Sequence, residues 1–550
     1  MRFCLSTAFL GVGLSLLISC TDPPSPHYDT LITNAIIYDG SGTAPYAGSL
    51  AIRADSIVAL GTFEATADTV LDAGGMALAP GFINMLSWAN ESLIQDGRSL
   101  GDLKQGVTLE VMGEGRSMGP LSQEMKQELL DNQSDIQYEI AWSTLGEYLQ
   151  FLEDKGVATN VASFVGNGTL RQYVIGYENR EAYPEEINQM RALTAKAMEE
   201  GAVGLSSSLL YAPSRYANTE ELISLAEVAA QYGGIYISHI RDEGDLLLES
   251  VDELLEIAQQ ANIPAEIYHL KASGQHNWHK LDSVLQRIEN ARAEGLRITA
   301  DMYTYPASST GLHTQLPEWV REGGVAAALE RLEDPALRQR IRSDIEFFHP
   351  PENILLVGFR KEALRQYQGM RLSEVAQAMD KSAEETMMDL MVADQSRIQV
   401  VYFSMSEENI RKKIVQPWMS FCSDAGSYAA EGVFLKRSTH PRAYGSFVRV
   451  LGKYSREEKL LSMEEAVRRL SALPAKNLQL DRRGELKVGY FADIVLFDPA
   501  TVTDHATFEQ PHQYAEGVSD VWVNGKQVLK DSEPTGVRSG RFVKGPGARR

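Results

Sequence analysis

A helix-strand unit that repeats through the middle of the chain constrains the fold more than any other feature. Apolar residues recur at helical spacing over 187–197, the pattern stops at Gly201, and an apolar strand is predicted over 202–206. Three further units follow, with predicted strands at 235–239, 265–269 and 297–301. Units of roughly 30 residues with short loops predict parallel strands covered by helices. Polar residues at successive strand ends favour a closed (β/α)₈ TIM barrel over an open sheet.

The two ends of the chain show a different sequence pattern from this α/β middle. Short alternating runs broken by turn residues fill 28–78 and return over 476–545, which predicts one small β-sandwich domain built from both termini. The barrel is therefore expected over 79–475. Within it, the stretch from about 312 to 396 lacks the repeated helix-strand pattern, which predicts an inserted subdomain or lid.

The N-terminal sequence predicts an export signal. Arg2 is followed by an apolar run that ends in Leu-Ile-Ser-Cys at Cys20, which predicts a lipoprotein signal peptide over 1–19 and acylation of Cys20. A Pro/Ser-rich tether is expected over 20–27. A plain secretory signal or an anchor helix is the alternative. The interpretation implies an exported protein of the bacterial cell envelope that meets the membrane through its lipid anchor only.

The charge of the chain bears on its partners. The net charge is −22, and no basic stripe is available to displace phosphate counterions. We therefore expect no binding to nucleic acid.

Two histidines terminate neighbouring predicted strands. His239 and His269 lie 30 residues apart, one βα unit between them, so they are expected side by side at one rim of the barrel. Imidazole is the commonest zinc ligand, and two on adjacent strands can share one ion. The alternative for either residue is a hydrogen-bonded core histidine.

Asp424 ends the last barrel-like strand, in the segment MSFCSDAGS. A carboxylate beside a metal-activated water is a natural general base, and it can later pass the proton to a leaving amine. The Ser-Asp-Ala-Gly context leaves open a second interpretation, in which the side chain caps the following turn.

These features resemble the amidohydrolase superfamily, in particular the N-acyl-D-amino-acid deacylase (D-aminoacylase) family. The resemblance covers nearly the whole chain after the predicted signal peptide. The segments that carry it are PGFI at 80–83, QGVTLEVMG at 105–113, GLSSSLLYAPSRYANTEEL at 204–222, YISHIRDEG at 236–244, YHLKASG at 268–274, DMYTYPASST at 301–310, SDAG at 423–426, HPRAYGSF at 440–447 and GYFADIVLFD at 489–498.

The resemblance implies roles for residues of the metal site. His239 and His269 correspond to two ligands of the family's tightly held zinc, and Asp424 corresponds to its catalytic base. The third ligand in the family is a cysteine in a Gly-Asn-Cys-Gly turn. Here that turn is one residue shorter, and Glu114 stands opposite the cysteine. A carboxylate can replace a thiolate on zinc, so we expect Glu114 to be a ligand, a solvated loop glutamate being the alternative.

The resemblance also implies a pocket for the substrate. In the family, the corresponding residues line the pocket and hold the carboxylate of the N-acyl amino acid; here they are Tyr211, Lys271, Tyr303, Ser309 and Arg442. A guanidinium binds a carboxylate bidentately, which suits Arg442. The alternatives are a surface salt bridge for Arg442 and pairing with an acidic neighbour for Lys271.

One departure from the family pattern frames the functional question. The first barrel strand of the family carries a metal-binding His-x-His after an aspartate, but this chain has Asn84, Leu86 and Trp88 at these positions. Leu86 and Trp88 offer no metal ligand and are expected to form an apolar floor.

The function expected from these residues is hydrolysis of an amide with one divalent metal, zinc, and Asp424 as general base and acid. The substrate would be a small N-acyl-D-amino acid or a dipeptide with a D-residue. Two alternatives stay open: an inactive envelope lipoprotein that keeps the barrel as a binding module, and a different amidohydrolase reaction, for example on a cyclic amide or an L-dipeptide.

Overall fold

A computed structural model describes residues 26–549, and its centre is a barrel of eight parallel strands. The last strand meets the first through the N–H of Met85, which donates to the carbonyl of Phe421 at 3.3 Å, and through a parallel bridge between Ser87 and Ala425. The strands, with one interrupted at Phe164, are Phe82–Asn84, Val107–Met112, Asn160–Ser163 with Val165–Gly166, Gly204–Ser208, Ile235–His239, Ala265–Ile267, Ile298–Met302 and Met419–Phe421.

Helices cover the outside of the barrel and turn their apolar residues toward the strands. In Thr219–Gln231, for example, Leu222, Leu225 and Ala229 are buried, and the Asn218 side chain caps the first turn by accepting from the N–H of Glu221. The other barrel α-helices of six residues or more are Gln123–Asp131, Leu145–Lys155, Asn167–Val174, Pro184–Glu200, Leu247–Gln260, Leu281–Ala293, Glu407–Ile414, Arg442–Arg449, Met463–Leu470 and Ala472–Asn477.

Strands from both chain ends form one nine-stranded sheet. Ala77–Pro80 joins the two halves, because it pairs in parallel with His27–Ile37 and antiparallel with Ile494–Phe497. The remaining strands are Tyr46–Arg53, Ser56–Gly61, Thr66–Asp72, Val518–Val523, Lys526–Lys530 and Glu533–Pro534. The predicted fold class, an α/β barrel with a β domain drawn from both ends, is confirmed.

The insertion in the barrel is larger than predicted. An antiparallel sheet of Ser308–Gly311, Gln399–Tyr402 and Ile354–Gly358 extends it beyond the expected limits of 312 and 396. Its helices are Glu318–Arg321, Gly324–Glu333, Pro335–Asp344, Leu372–Ala378 and Ala383–Asp394, and they enclose a separate apolar core. The sequence did not reveal the strand Ser308–Gly311 because it has no apolar alternation. This geometry brings residues near both ends of the insertion to the cavity above the barrel.

The predicted signal peptide and Cys20 lie outside the described residues. Within the described part of the chain, no helix combines the length and apolar character needed to cross a membrane.

Candidate metal centre and active site

A cavity of about 1050 Å³ opens at the carboxyl ends of the barrel strands, and the insertion forms part of its wall. All nine residues that the sequence singled out for catalysis, metal binding or substrate binding line this cavity. The structure therefore brings the predicted set together, while the roles of its members stay predictions.

Three of these residues form a buried cluster with metal-ligand chemistry. Glu114 Oε1 lies 2.7 Å from His239 Nδ1 and 3.0 Å from His269 Nε2. One ligand atom from each residue can be chosen so that all three lie within 4.8 Å of one another. Two imidazoles and a carboxylate are an established donor set for a catalytic divalent ion, with positions left open for water and substrate.

The local backbone explains how Glu114 reaches the histidines. Glu114 follows the strand Val107–Met112 in a tight turn in which Gly113 and Gly115 have φ angles of 100° and 60°. A Cβ at Gly113 would lie 2.4 Å from the carbonyl oxygen of Phe164, so only glycine fits there. The turn folds Glu114 back over the strand ends.

His269 is held in a strained conformation. It lies two residues beyond the strand Ala265–Ile267 with a φ of 35°, and its N–H donates to Asp301 Oδ1 at 2.7 Å. Non-glycine residues rarely adopt positive φ, and they persist there when surrounding contacts hold them. The Asp301 carboxylate, which the sequence did not single out, supplies that contact.

The charges of Glu114 and the two histidines influence one another. Burial opposes ionisation of Glu114, but hydrogen bonds from His239 and His269 outweigh it and lower the pKa of this carboxyl. Burial and the nearby Lys271 ammonium lower the pKa of His269, while Glu243 and other carboxylates raise it, and the net result is a pKa of about 10. The negative charge of Glu114 therefore favours a positive charge beside it. That charge can be a proton on an imidazole or, once the proton has left, a bound metal cation.

A buried nitrogen of His239 also indicates that the cluster can bind a divalent ion. His239 Nε2 is buried and has no hydrogen-bond partner among the residues that the structure describes. Buried polar atoms are almost always paired, so this nitrogen is available to a ligand. Glu114, His239 and His269 are the residues that would hold the ion.

Glu243 is a member of the site that the sequence analysis missed. Its carboxylate lies 3.1 Å from His269 Nδ1 and forms an ion pair with Lys271, whose Nζ is 2.7 Å from the same imidazole nitrogen. Burial disfavours the charged form of Glu243, but the Lys271 ammonium lowers its pKa well below the usual value. The sequence feature that could have identified Glu243 is its position four residues after His239. Lys271 thus pairs with an acidic neighbour, as the second interpretation of this residue predicted.

Asp424 is held by a hydrogen bond to one of its oxygens and an ion pair to the other. Trp88 Nε1 donates to Oδ1 at 3.1 Å, and Arg442 Nη1 forms an ion pair with Oδ2 at 2.7 Å. The backbone N–H of Asp424 donates to the carbonyl of Leu86 at 2.9 Å. The carboxylate is therefore oriented from the side of the first barrel strand.

Arg442 is buried, 4% exposed, and lies with its guanidinium 4.6 Å from the centre of the Tyr303 ring. It is not the surface ion pair that the alternative interpretation described. Two of its nitrogens, Nε and Nη1, have no hydrogen-bond partner among the described residues, although Nη1 forms the ion pair with Asp424. Arg442 can therefore balance the charge of Asp424 and still contact a further acceptor.

The other predicted pocket residues lie around the cluster. The Tyr211 ring packs edge-on against His239 at 5.3 Å, and its hydroxyl is 2.7 Å from Thr310 Oγ1. Ser309 Oγ donates to the carbonyl of Val400 at 2.8 Å.

Leu86 and Trp88 do not together form the predicted apolar floor of the cavity. Leu86 is fully buried in the barrel core and does not line the cavity, whereas Trp88 is 39% exposed and lines it. Asn84 donates to Asp102 at 2.9 Å and to Ser423 Oγ at 2.8 Å. The first strand thus replaces ligands with a core leucine, an internal amide network and an indole donor.

Known proteins resemble this chain in sequence and in structure. The sequence model of the "Amidohydrolase family" matches residues 437–529. The D-aminoacylase of Alcaligenes xylosoxydans xylosoxydans is 33% identical over 526 residues, which cover 94% of this chain and 98% of that protein.

Two solved structures are similar over 94% of this chain and 100% of their own. One is the N-acyl-D-glutamate deacylase of Bordetella bronchiseptica with zinc and a phosphonate inhibitor, 28% identical with a TM-score of 0.80. The other is a D-aminoacylase, 30% identical with a TM-score of 0.79, whose study describes activation by one metal and attenuation by a second.

Proposed function

Because the chain belongs to the D-aminoacylase family of amidohydrolases, we propose that it hydrolyses the amide bond of N-acyl-D-amino acids with one divalent metal. The observation that carries the proposal is the buried cluster of Glu114, His239 and His269 in the same cavity as Asp424. The donor set favours zinc.

The chemistry divides between the metal and Asp424. A bound divalent cation supplies Lewis acidity toward the scissile carbonyl. Asp424 accepts a proton from the attacking water as the new C–O bond forms, and it returns the proton to the amine nitrogen as the C–N bond breaks. The products are a carboxylic acid and a D-amino acid. Trp88 and Arg442 each occupy one oxygen of Asp424 but leave further lone pairs for the proton.

The substrate carboxylate is expected at Arg442. Its free Nε is a donor in a buried environment, where a charge-assisted hydrogen bond is strong. Tyr211, Tyr303 and Ser309 would complete this pocket. Lys271 would act there indirectly, since Glu243 and His269 already engage its ammonium group.

The binding-module alternative finds no support, because the relative and the structures described above are enzymes. A one-metal reaction is compatible with the study of the D-aminoacylase structure, which attributes activation to one metal in that protein.

Metal content and activity test the proposal together. We expect the purified protein to bind about one zinc per chain and to hydrolyse N-acetyl-D-amino acids in preference to their L-enantiomers. His239→Ala should lose both properties. His349→Ala is the matched control for metal content, since His349 lines the same cavity but lies outside the cluster. Metal-free protein that stays inactive on every member of the panel after zinc is added would contradict the proposal.

We also propose that the protein is exported and anchored to the bacterial cell envelope through acylated Cys20. The proposal rests on the N-terminal sequence alone. Full-length protein should partition into the detergent phase of a Triton X-114 extract, and Cys20→Ser should move it to the aqueous phase. Equal partitioning of the two would overturn the anchor.

A further inference from the structure

Three arginines line the cavity without a carboxylate partner. Arg116, Arg321 and Arg397, here called the arginine wall, form no ion pair within 4 Å in the part of the chain that the structure describes. Arg116 donates to the hydroxyl of Tyr177 at 2.9 Å, and Arg397 donates to Gln399 Oε1 at 3.2 Å. The Nε of Arg321 is buried and has no hydrogen-bond partner among the described residues.

Two carboxylates that line the same cavity already pair with other arginines. Glu318 pairs with Arg215, and Asp135 pairs with Arg365 and Arg437. The protein as a whole carries a net charge of −22. Three guanidinium groups that line one cavity without an ion pair repel one another, and an anion bound between them would relieve that repulsion.

His313 locates the arginine wall relative to the metal cluster. Burial, and then the charges of Arg397, Arg321 and Arg116, together lower the pKa of His313 to about 3, so this imidazole is neutral and all three cations act on it. The His313 ring stacks 6.3 Å from the ring of Tyr211, which packs 5.3 Å from His239. His313 is therefore two ring contacts from His239, and the insertion supplies Arg321 and Arg397, whereas Arg116 follows Glu114 by two residues.

We propose that the arginine wall binds a second carboxylate of the substrate, so that the preferred substrates are N-acyl-D-amino acids with an acidic side chain, such as the D-glutamate or D-aspartate derivatives. The inference rests on the proposed function, which assigns the α-carboxylate to Arg442. A guanidinium fork matches a carboxylate in shape and charge. A neutral side chain would leave the cations of the arginine wall without a partner.

Isosteric substrates test this assignment. We expect the zinc-loaded wild type to hydrolyse N-acetyl-D-glutamate with a kcat/KM at least about tenfold above that for N-acetyl-D-glutamine, since charged hydrogen bonds contribute that much or more. Arg397→Gln should remove most of this preference by raising KM for the glutamate substrate, and it should leave the glutamine substrate within about twofold.

Arg215→Gln is the matched control, because Arg215 lines the same cavity but already pairs with Glu318. It should leave the glutamate-to-glutamine ratio unchanged. Equal rates for the two substrates in the wild type would overturn the second carboxylate site, and so would an equal loss for both in Arg397→Gln. Turnover of N-acetyl-D-glutamine or N-acetyl-D-leucine would show that the hydrolase function itself stands.

If no substrate is turned over, the proposed function fails and binding decides the inference separately. Calorimetry should then give tighter binding of N-acetyl-D-glutamate than of N-acetyl-D-glutamine to the wild type, with the difference lost in Arg397→Gln. Equal affinities for the two compounds would overturn the proposal.

Discussion

The two sides of the active site differ in how they relate to the family pattern. On one side, Glu114, His239 and His269 form a buried cluster that could hold a metal ion, with a carboxylate in the turn where the family has a cysteine. On the other side, the first barrel strand has lost its ligands, and Leu86 and Trp88 divide the positions between core packing and a hydrogen bond to Asp424. One half of a two-metal centre can thus be replaced by residues that hold Asp424, the proposed catalytic base, in place.

The rebuilt side is internally consistent. Asn84 is satisfied by Asp102 and Ser423, Leu86 is fully buried, and Trp88 directs its one polar atom at Asp424. Random decay would leave polar side chains of this strand without partners, whereas Asn84 and Trp88 have theirs, although Asp102 Oδ2 beside Asn84 has no hydrogen-bond partner among the described residues. These contacts therefore favour a working site with one metal.

The largest effect is expected on the ligand side. Glu114→Gln keeps the shape of the side chain but removes its charge, and we expect zinc affinity to fall by more than about 100-fold, since even residues that only support ligands have effects of 10- to 100-fold. Competition with a chelator measures this affinity. Glu128→Gln, in the same cavity but outside the cluster, is the control. Unchanged affinity would remove Glu114 from the ligand set.

A smaller effect, on stability rather than metal binding, is expected at Leu86. Leu86→Ala opens a cavity in the barrel core and should lower the free energy of unfolding by about 2–5 kcal/mol. Urea titration followed by tryptophan fluorescence measures it, with zinc content unchanged. Val488→Ala, at a side chain that is 57% exposed, should have little effect. A loss of zinc in Leu86→Ala would contradict the separation of the two sides.

The smallest effect is expected at Trp88. Trp88→Phe keeps an aromatic ring but removes the donor to Asp424, and a hydrogen bond to a charged group is worth about 1.5–3 kcal/mol. We expect kcat to fall by about tenfold, with KM and zinc content nearly unchanged. Trp278→Phe is the control, because its Nε1 donates to the carbonyl of Ser404 away from the cavity. A change in KM alone would show that Trp88 contacts substrate instead.

Much of the framework could be predicted from local sequence patterns. The repeated spacing that ends at His239 and His269 predicted adjacent strands, because each βα unit returns the chain to the same edge of a parallel sheet. The left-handed conformation of His269 could not be predicted, since it depends on Asp301 of the next strand.

The sequence by itself determined the barrel, the β domain from both ends and the identity of the groups at the strand ends, because these follow from periodicity and from chemistry carried by single residues. The tertiary structure alone decided which of those groups pair. It joined Arg442 to Asp424, Lys271 to Glu243 and Trp88 to Asp424, and the insertion brought Arg321 and Arg397 to the cavity. The physical reason is that these contacts join segments far apart in the chain, and their geometry depends on how the whole barrel and its insertion pack.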